Sequence, residues 1–161
     1  MKIYKEQLLG DLTTFKVGGK AKYFTKVKNQ KDLISALNFA KENNLAIFIL
    51  GNGSTILISD SGFDGLVIKN EIKFLKSKNF KNEVILDIGS GNSWDRIVLL
   101  ACNNNLEGIE CLSGIPGTVG AAPISNIGAY GQELSNVFIK AKVLDLKTYK
   151  IKTFFKKDCD F

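Results

Sequence analysis

The clearest periodicity in the chain lies between residues 20 and 50, where the spacing of apolar positions changes twice. Ala21 to Val27 reads as a strand. From Gln30 to Asn43 the apolar residues Leu33, Ala36, Leu37 and Ala40 recur at helical spacing, with Asn29 placed to cap the first turn and Asp32 favourably set within it. Asn43-Asn44 ends that helix, and Ala46-Ile47-Phe48-Ile49-Leu50 follows as a short run of buried-strand type. Strand, helix, strand in this order implies a parallel pair joined by a right-handed crossover.

Downstream the elements shorten. Ile56-Leu57-Ile58 and Leu66-Val67-Ile68 read as brief strands separated by a turn-rich connector, Asp60 to Gly65, with Gly62 on its surface. Glu83 to Ile88 is a further strand, reached after a lysine-rich hairpin around Lys78 to Asn82. A second helix, Ser93 to Asn103, turns Trp94, Ile97, Val98 and Ala101 inward and is capped by Asn92 or Ser93. Charged and apolar residues alternate from Val137 to Leu146 and from Tyr149 to Phe155, which predicts an antiparallel pair turning at Lys147-Thr148. The class is therefore α+β. A βαβ lobe over about residues 13–70 precedes a mixed, largely antiparallel lobe over about residues 71–161.

Two glycine-rich stretches interrupt this pattern. Gly51-Asn52-Gly53-Ser54-Thr55 follows a strand directly, where successive backbone N–H groups form a concavity for phosphate oxygens and the two hydroxyls add donors. Leu112 to Leu134 gathers Gly114, Gly117, Gly120, Gly128 and Gly131 with both prolines of the chain, Pro116 and Pro123, and carries no charge before Glu133. Such a run serves equally as tight turns between buried strands or as a mould for a flat or phosphorylated ligand. The upstream turn favours the mould. Gly89-Ser90-Gly91 is a third such turn, explained at least partly as a strand-to-helix connection.

Composition narrows the classes. No apolar run approaches the ~20 residues that span a bilayer, and the first residues lack the apolar segment of a signal peptide, so the cytoplasm is expected and no membrane partner is. Cys102, Cys111 and Cys159 are odd in number without C-x-x-C spacing, which argues against disulfides or a zinc site and leaves reduced thiols. There is no histidine, so histidine-based acid–base chemistry and the commonest metal ligand are missing. The net charge of +6 is scattered over lysines rather than interleaved with aromatics along a stripe, and nucleic-acid binding is not expected.

Leu50 to Ile68, Gly89 to Val98 and Gly108 to Leu134 resemble, in order and separation, segments of the UDP-N-acetylenolpyruvoylglucosamine reductase (UDP-N-acetylmuramate dehydrogenase) family, and the resemblance runs from about Thr13 to the end of the chain. Pro123 to Gly131 is similar to the subtype without an extra tyrosine loop. The family implies an FAD-binding domain of the vanillyl-alcohol oxidase / p-cresol methylhydroxylase type, with the cofactor in a cleft between two lobes. By resemblance, Gly51, Asn52, Gly53, Ser54 and Thr55 lie on the FAD pyrophosphate. Ile115, Pro116 and Gly117 with Ala121 and Ala122 run beside the isoalloxazine and ribityl chain, Ile124 and Gly128 pack on the flavin, and Thr13 to Gly19 is an opening turn that approaches the cofactor lobe. Thr55 stands where the family has asparagine, and alanine at 121 and 122 where a serine is common. Without histidine, the FAD is expected to be held noncovalently.

In the family, NADPH reduces the flavin and the flavin reduces the enolpyruvyl group of a UDP-sugar. The arginine, serine and glutamate that serve this chemistry belong to segments expected beyond Phe161, so no catalytic residue is assigned in this chain. The substrate-binding domain is expected to be absent, with a complementing C-terminal polypeptide as a possible partner. Two classes remain: the FAD-binding portion of the reductase, and an FAD-binding module or remnant with no reductase activity of its own.

Overall fold

A computed structural model describes residues 1–161. Its centre is a four-stranded sheet in the order β1-β2-β4-β3, built from β1 (Ile3–Leu8), β2 (Lys20–Val27), β3 (Ala46–Leu50) and β4 (Phe63–Asn70). β2 and β3 both run parallel to β4, and β1 is antiparallel to β2. The expected parallel arrangement is present, but β2 and β3 are not neighbours, because β4 inserts between them. Gly65, Leu66, Val67 and Ile68 of β4 are consecutively buried, the mark of a central strand covered on both faces.

The two faces follow from alternation along β4. Leu66 and Ile68 join Val27 and the Ala36, Leu37 and Ala40 stripe of α1 (Gln30–Glu42), while Val67 joins Leu9, Ala21, Phe24 and Leu50 on the opposite side. Each fully buried leucine contributes roughly 1.5–3 kcal/mol. Asn29 caps α1 as expected, its side chain accepting the Asp32 N–H at 2.9 Å.

The antiparallel part forms three separate two-stranded ribbons: β5 (Leu75–Phe80) with β6 (Glu83–Ile88), β7 (Gly128–Ala129) with β8 (Gln132–Glu133), and β9 (Lys140–Leu144) with β10 (Ile151–Phe155). Between them, α2 (Trp94–Asn103) packs Trp94 and Val98 on Leu112, Ala122 and Leu134, which pins the long glycine-rich stretch to that helix. Ser93 occupies the cap position without a side-chain bond, and Asn92 instead donates to the Phe74 and Gly89 carbonyls.

Several expectations change. β1 is a strand that the pattern did not mark, and its burial is slight because it is an edge. Ile56-Leu57-Ile58 is irregular: Ile56 and Ile58 pack on the core, yet no partner strand lies beside them and Leu57 is exposed. The first residues of the expected Val137–Leu146 strand give way to a short helix, α3 (Leu134–Val137), before β9. Gly62 is not a free surface position, since its φ is +76° and a Cβ there would lie 2.0 Å from the Lys20 carbonyl oxygen. Gly18 and Gly19 pack on Ile58 and Asp60, serving the connector after the Gly51–Thr55 turn.

Candidate functional site

The parallel strands end together, and their carboxyl ends are where open α/β sheets place ligands. β3 leads straight into Gly51–Thr55. Gly53 has φ +70°, and a Cβ there would lie 2.2 Å from the Leu12 carbonyl oxygen, so both conformation and space demand glycine. Two of the turn's carbonyls are held from inside. Gly53 accepts the Thr14 N–H at 2.9 Å, and Gly51 accepts a hydrogen bond from the Lys69 ammonium. By contrast, the backbone N–H groups of Gly51, Asn52, Gly53, Ser54 and Thr55 donate to no group of the chain. Two held carbonyls and five amides without a partner leave positive dipole ends available in one short turn, which suits an anion with several oxygens.

The second stretch meets this turn. Asn52 Nδ2 donates to the Gly117 carbonyl at 3.0 Å, and the Trp94 N–H reaches the same oxygen at 3.1 Å. A Cβ on Gly51 would sit 3.2 Å from Thr118 Oγ1. The stretch is fixed to α2 by Asp95, whose carboxylate accepts the Gly114 N–H at 2.6 Å and the Ser113 hydroxyl at 3.2 Å. Gly114 and Gly117 have φ +76° and +145° with no atom within 4 Å of a Cβ position, so the backbone there presents a bare, open side. The N–H groups of Ile115 and Gly117 also lack a partner within the chain.

Gly51, Asn52, Gly53 and Gly117 are thus brought into one place, with Ser54 and Thr55 continuing the turn. Ile115 packs half-buried on the Trp94 cluster, whereas Pro116 and Ala121 are exposed. Ala122 is 3% exposed and belongs to that same core. Ile124 is 86% exposed. Gly128 lies in the β7–β8 ribbon, where a Cβ would meet the Gln132 carbonyl at 3.1 Å; no hydrogen bond joins that ribbon to the Gly51 turn. Asn126, at φ +41°, accepts the Ser135 N–H and donates to Glu133, which is a structural role.

The expected opening turn does border this site, and it is joined there by Lys69, which sequence reasoning had not singled out. Thr13, Thr14, Lys16 and Lys69 join Asp11, Leu12 and Asn52 around a shallow polar depression beside it. Lys69 carried a weak signal, a charge ending an otherwise apolar strand. Thr14 belongs to the opening turn expected to approach the cofactor lobe, but its particular contact, with Gly53, carried no signal of its own. Burial pushes the Lys69 ammonium below the ordinary lysine range, with Glu71 opposing and Lys26 and Lys73 reinforcing that shift.

The family model of the FAD binding domain matches residues 21–152, and the chain belongs to this family of FAD-binding domains. Within it, the chain is similar to UDP-N-acetylenolpyruvoylglucosamine reductases. It is 42% identical over 142 residues to the enzyme of Caldicellulosiruptor saccharolyticus, covering 88% of this chain and 44% of that one. It is 43% identical over 154 residues to that of Amoebophilus asiaticus, covering 95% and 45%. The chain spans about half the length of the curated relatives it matches. The crystal structure of UDP-N-acetylenolpyruvylglucosamine reductase from Thermus caldophilus superposes with a TM-score of 0.78 at 25% identity, covering 98% of this chain and 54% of that one. A VAO-type flavoprotein from Myceliophthora thermophila C1 gives 0.65 at 20% identity, over 83% of this chain and 26% of that one, and supports the expected fold class.

An FAD diphosphate fits what the residues offer. Five consecutive amides without partners match its oxygens in the way a helix N-terminus matches phosphate, and the bare flank at Gly117 leaves room for backbone to lie against a planar group.

Proposed function

We propose that this chain is the FAD-binding portion of a reductase that converts UDP-N-acetylglucosamine enolpyruvate to UDP-N-acetylmuramate, an oxidoreductase step of peptidoglycan precursor synthesis. The observation that carries the reading is the Gly51–Thr55 turn, with the Gly51 and Gly53 carbonyls held and five N–H groups free. In this reading those amides, with the Ser54 and Thr55 hydroxyls, bind the diphosphate. Asn52 ties the turn to Gly117, which keeps Ile115, Pro116, Gly117, Ala121 and Ala122 in register beside the ribityl chain and ring. Ile124 and Gly128 are assigned to the flavin's far side by resemblance alone. The division into a lobe over about residues 13–70 and another over about residues 71–161 places the cofactor between them.

When bound, FAD supplies the hydride relay from NADPH to the enolpyruvyl double bond. This chain's own contribution is to bind and orient the cofactor; with no histidine available, the attachment is noncovalent. Substrate clamping and protonation are assigned to polypeptide of the kind that completes the longer relatives, and the compartment is the cytoplasm. A second reading is an FAD-binding module with no reductase activity of its own, in keeping with a family model that describes an FAD binding domain alone.

Purified protein mixed with FAD tests the cofactor. Bound flavin with a shifted absorbance band, released by acid precipitation, is expected; protein that stays colourless at high FAD refutes the reading. NADPH oxidation coupled to mass detection of UDP-N-acetylmuramate separates the two functional classes. Product is expected only when the complementing polypeptide is added, because removing a general acid alone costs about 10²–10⁴-fold.

A further inference from the structure

The cation that reaches the Gly51–Thr55 turn is Lys69. It lies near the carboxyl end of β4, opposite Leu50 of β3 and Lys26 of β2, just after the fully buried Leu66, Val67 and Ile68. Lys69 is half-buried. The hydrogen-bond partner of its ammonium is a neutral group, the Gly51 carbonyl. No carboxylate lies within ion-pair distance of it, since Glu71 is paired with Lys26 at 3.5 Å. Withdrawing an ammonium from water without a counter-charge is costly, so a place held this way is completed by an anion. The depression that Lys69 lines opens beside the free amides.

We propose that Lys69 is a positioning residue for the diphosphate site: by drawing the Gly51 carbonyl inward it turns the following amides toward the ligand, and its charge completes the anion's surroundings. This rests on the FAD reading above. Burial of the ammonium and its lowered proton affinity agree with a group held in wait for a negative partner. Lys16, which lines the same depression, makes no hydrogen bond to the turn, and the charge on Lys26 is engaged with Glu71.

The test is FAD affinity, read by flavin fluorescence on the purified chain, beside thermal unfolding without ligand. K69M is expected to bind FAD at least about tenfold more weakly, which is about 1.4 kcal/mol, and to unfold no earlier than wild type, because methionine fills the same path without a charge to desolvate. K69R, which keeps a cation and a donor, is expected to stay within about threefold of wild type, as is K26M, which removes a nearby charge that does not touch the turn. Wild-type affinity in K69M overturns the role of Lys69 alone. Equal losses in K26M and K69M also overturn it, by reducing the effect to general charge. Should K69M fail to fold, K69R decides: a folded K69R with tenfold weaker binding refutes the proposal. A wild-type chain that leaves FAD fluorescence unchanged refutes the diphosphate site, and the role of Lys69 falls with it.

Discussion

Gly51–Thr55 and Gly89–Gly91 are the same kind of stretch by composition, a glycine-serine turn at the end of a strand, and the structure uses them in opposite ways. In the later turn both glycine N–H groups are consumed at home and only that of Ser90 is left without a partner: Gly89 donates to Phe74 and Gly91 to Ile72, and the next residue, Asn92, donates to Gly89, all within 2.8–3.1 Å. Its glycines exist for packing, since a Cβ on either would come within 2.5–2.7 Å of the backbone of Ile72. The earlier turn has the same steric need at Gly53 but leaves five amides without a partner. Glycine therefore reports close approach in both places. Only an account of where the N–H groups go separates a ligand site from a joint.

The comparison breaks hardest at Gly53. In Gly53→Val the new Cβ collides with Leu12 in a backbone conformation that valine disfavours, so we expect stability to fall by at least about 2 kcal/mol. FAD affinity should drop about a hundredfold or more, as several amide contacts go together. Urea unfolding and flavin fluorescence measure the two effects separately. A folded variant with unchanged affinity would remove the turn from the cofactor.

At the other turn, Gly91→Ala forces a methyl against Glu71 and Ile72, and overpacking of this kind costs about 1–3 kcal/mol. The folded fraction is nevertheless expected to bind FAD within about threefold of wild type, well under 1 kcal/mol. A loss of affinity as large as that of Gly53→Val would show that the Gly89 turn also touches the ligand.

Why composition alone separated the two turns only in part is physical. Periodicity reports burial, and it located β2, α1, β3, β6 and α2 because each buries one face at its own period. It failed at β1, an edge strand with most residues in water, and at Ile56–Ile58, where apolar residues reach the core without a ladder. It could not place β4 between β2 and β3, because strand order is decided by which faces need cover. The contacts that make the site join distant residues: Thr14 with Gly53, Asn52 with Gly117, and Gly51 with Lys69. Resemblance to a family supplied Gly51–Thr55 and Ile115–Gly117 as a pair. It could not show that Ala122 turns its side chain into the Trp94 core.

A smaller effect sharpens the contrast through the two serines. Ser54→Ala removes one hydroxyl donor from a site that rests on backbone, so FAD affinity should fall by only about three- to tenfold, with stability unchanged. Ser90 Oγ instead accepts from Asn70 Nδ2 at 2.8 Å, a bond between strand ends. Ser90→Ala should lower stability by about 1 kcal/mol and leave FAD affinity alone. Exchange of these two phenotypes would reverse the assignment of the turns.

The smallest effect comes from a third turn, where the chain supplies its own anion. Between β9 and β10, the Asp145 carboxylate accepts the Lys147 N–H at 2.8 Å and the Thr148 N–H at 3.2 Å, and it also pairs with the Lys152 ammonium. The hydrogen bond from Lys152, followed by those from the two amides, holds its pKa down at about 2, against an ordinary 3.8. A folded pKa below the unfolded one means that the contribution is complete above about pH 4 and is lost as the pH falls toward 2. The Lys147 and Thr148 amide resonances should therefore move together with an apparent pKa near 2, and Asp145→Asn should abolish that step while leaving residues 51–55 untouched. The ribbon as a whole should loosen only slightly, because the Lys152 partner is exposed and screening weakens the pairing. If the same amides titrate near 3.8, the carboxylate does not hold them, and turn amides in this chain do not depend on an anion for their order. The opposite result makes this turn the internal counterpart of Gly51–Thr55, with a carboxylate where the cofactor's diphosphate is proposed to sit.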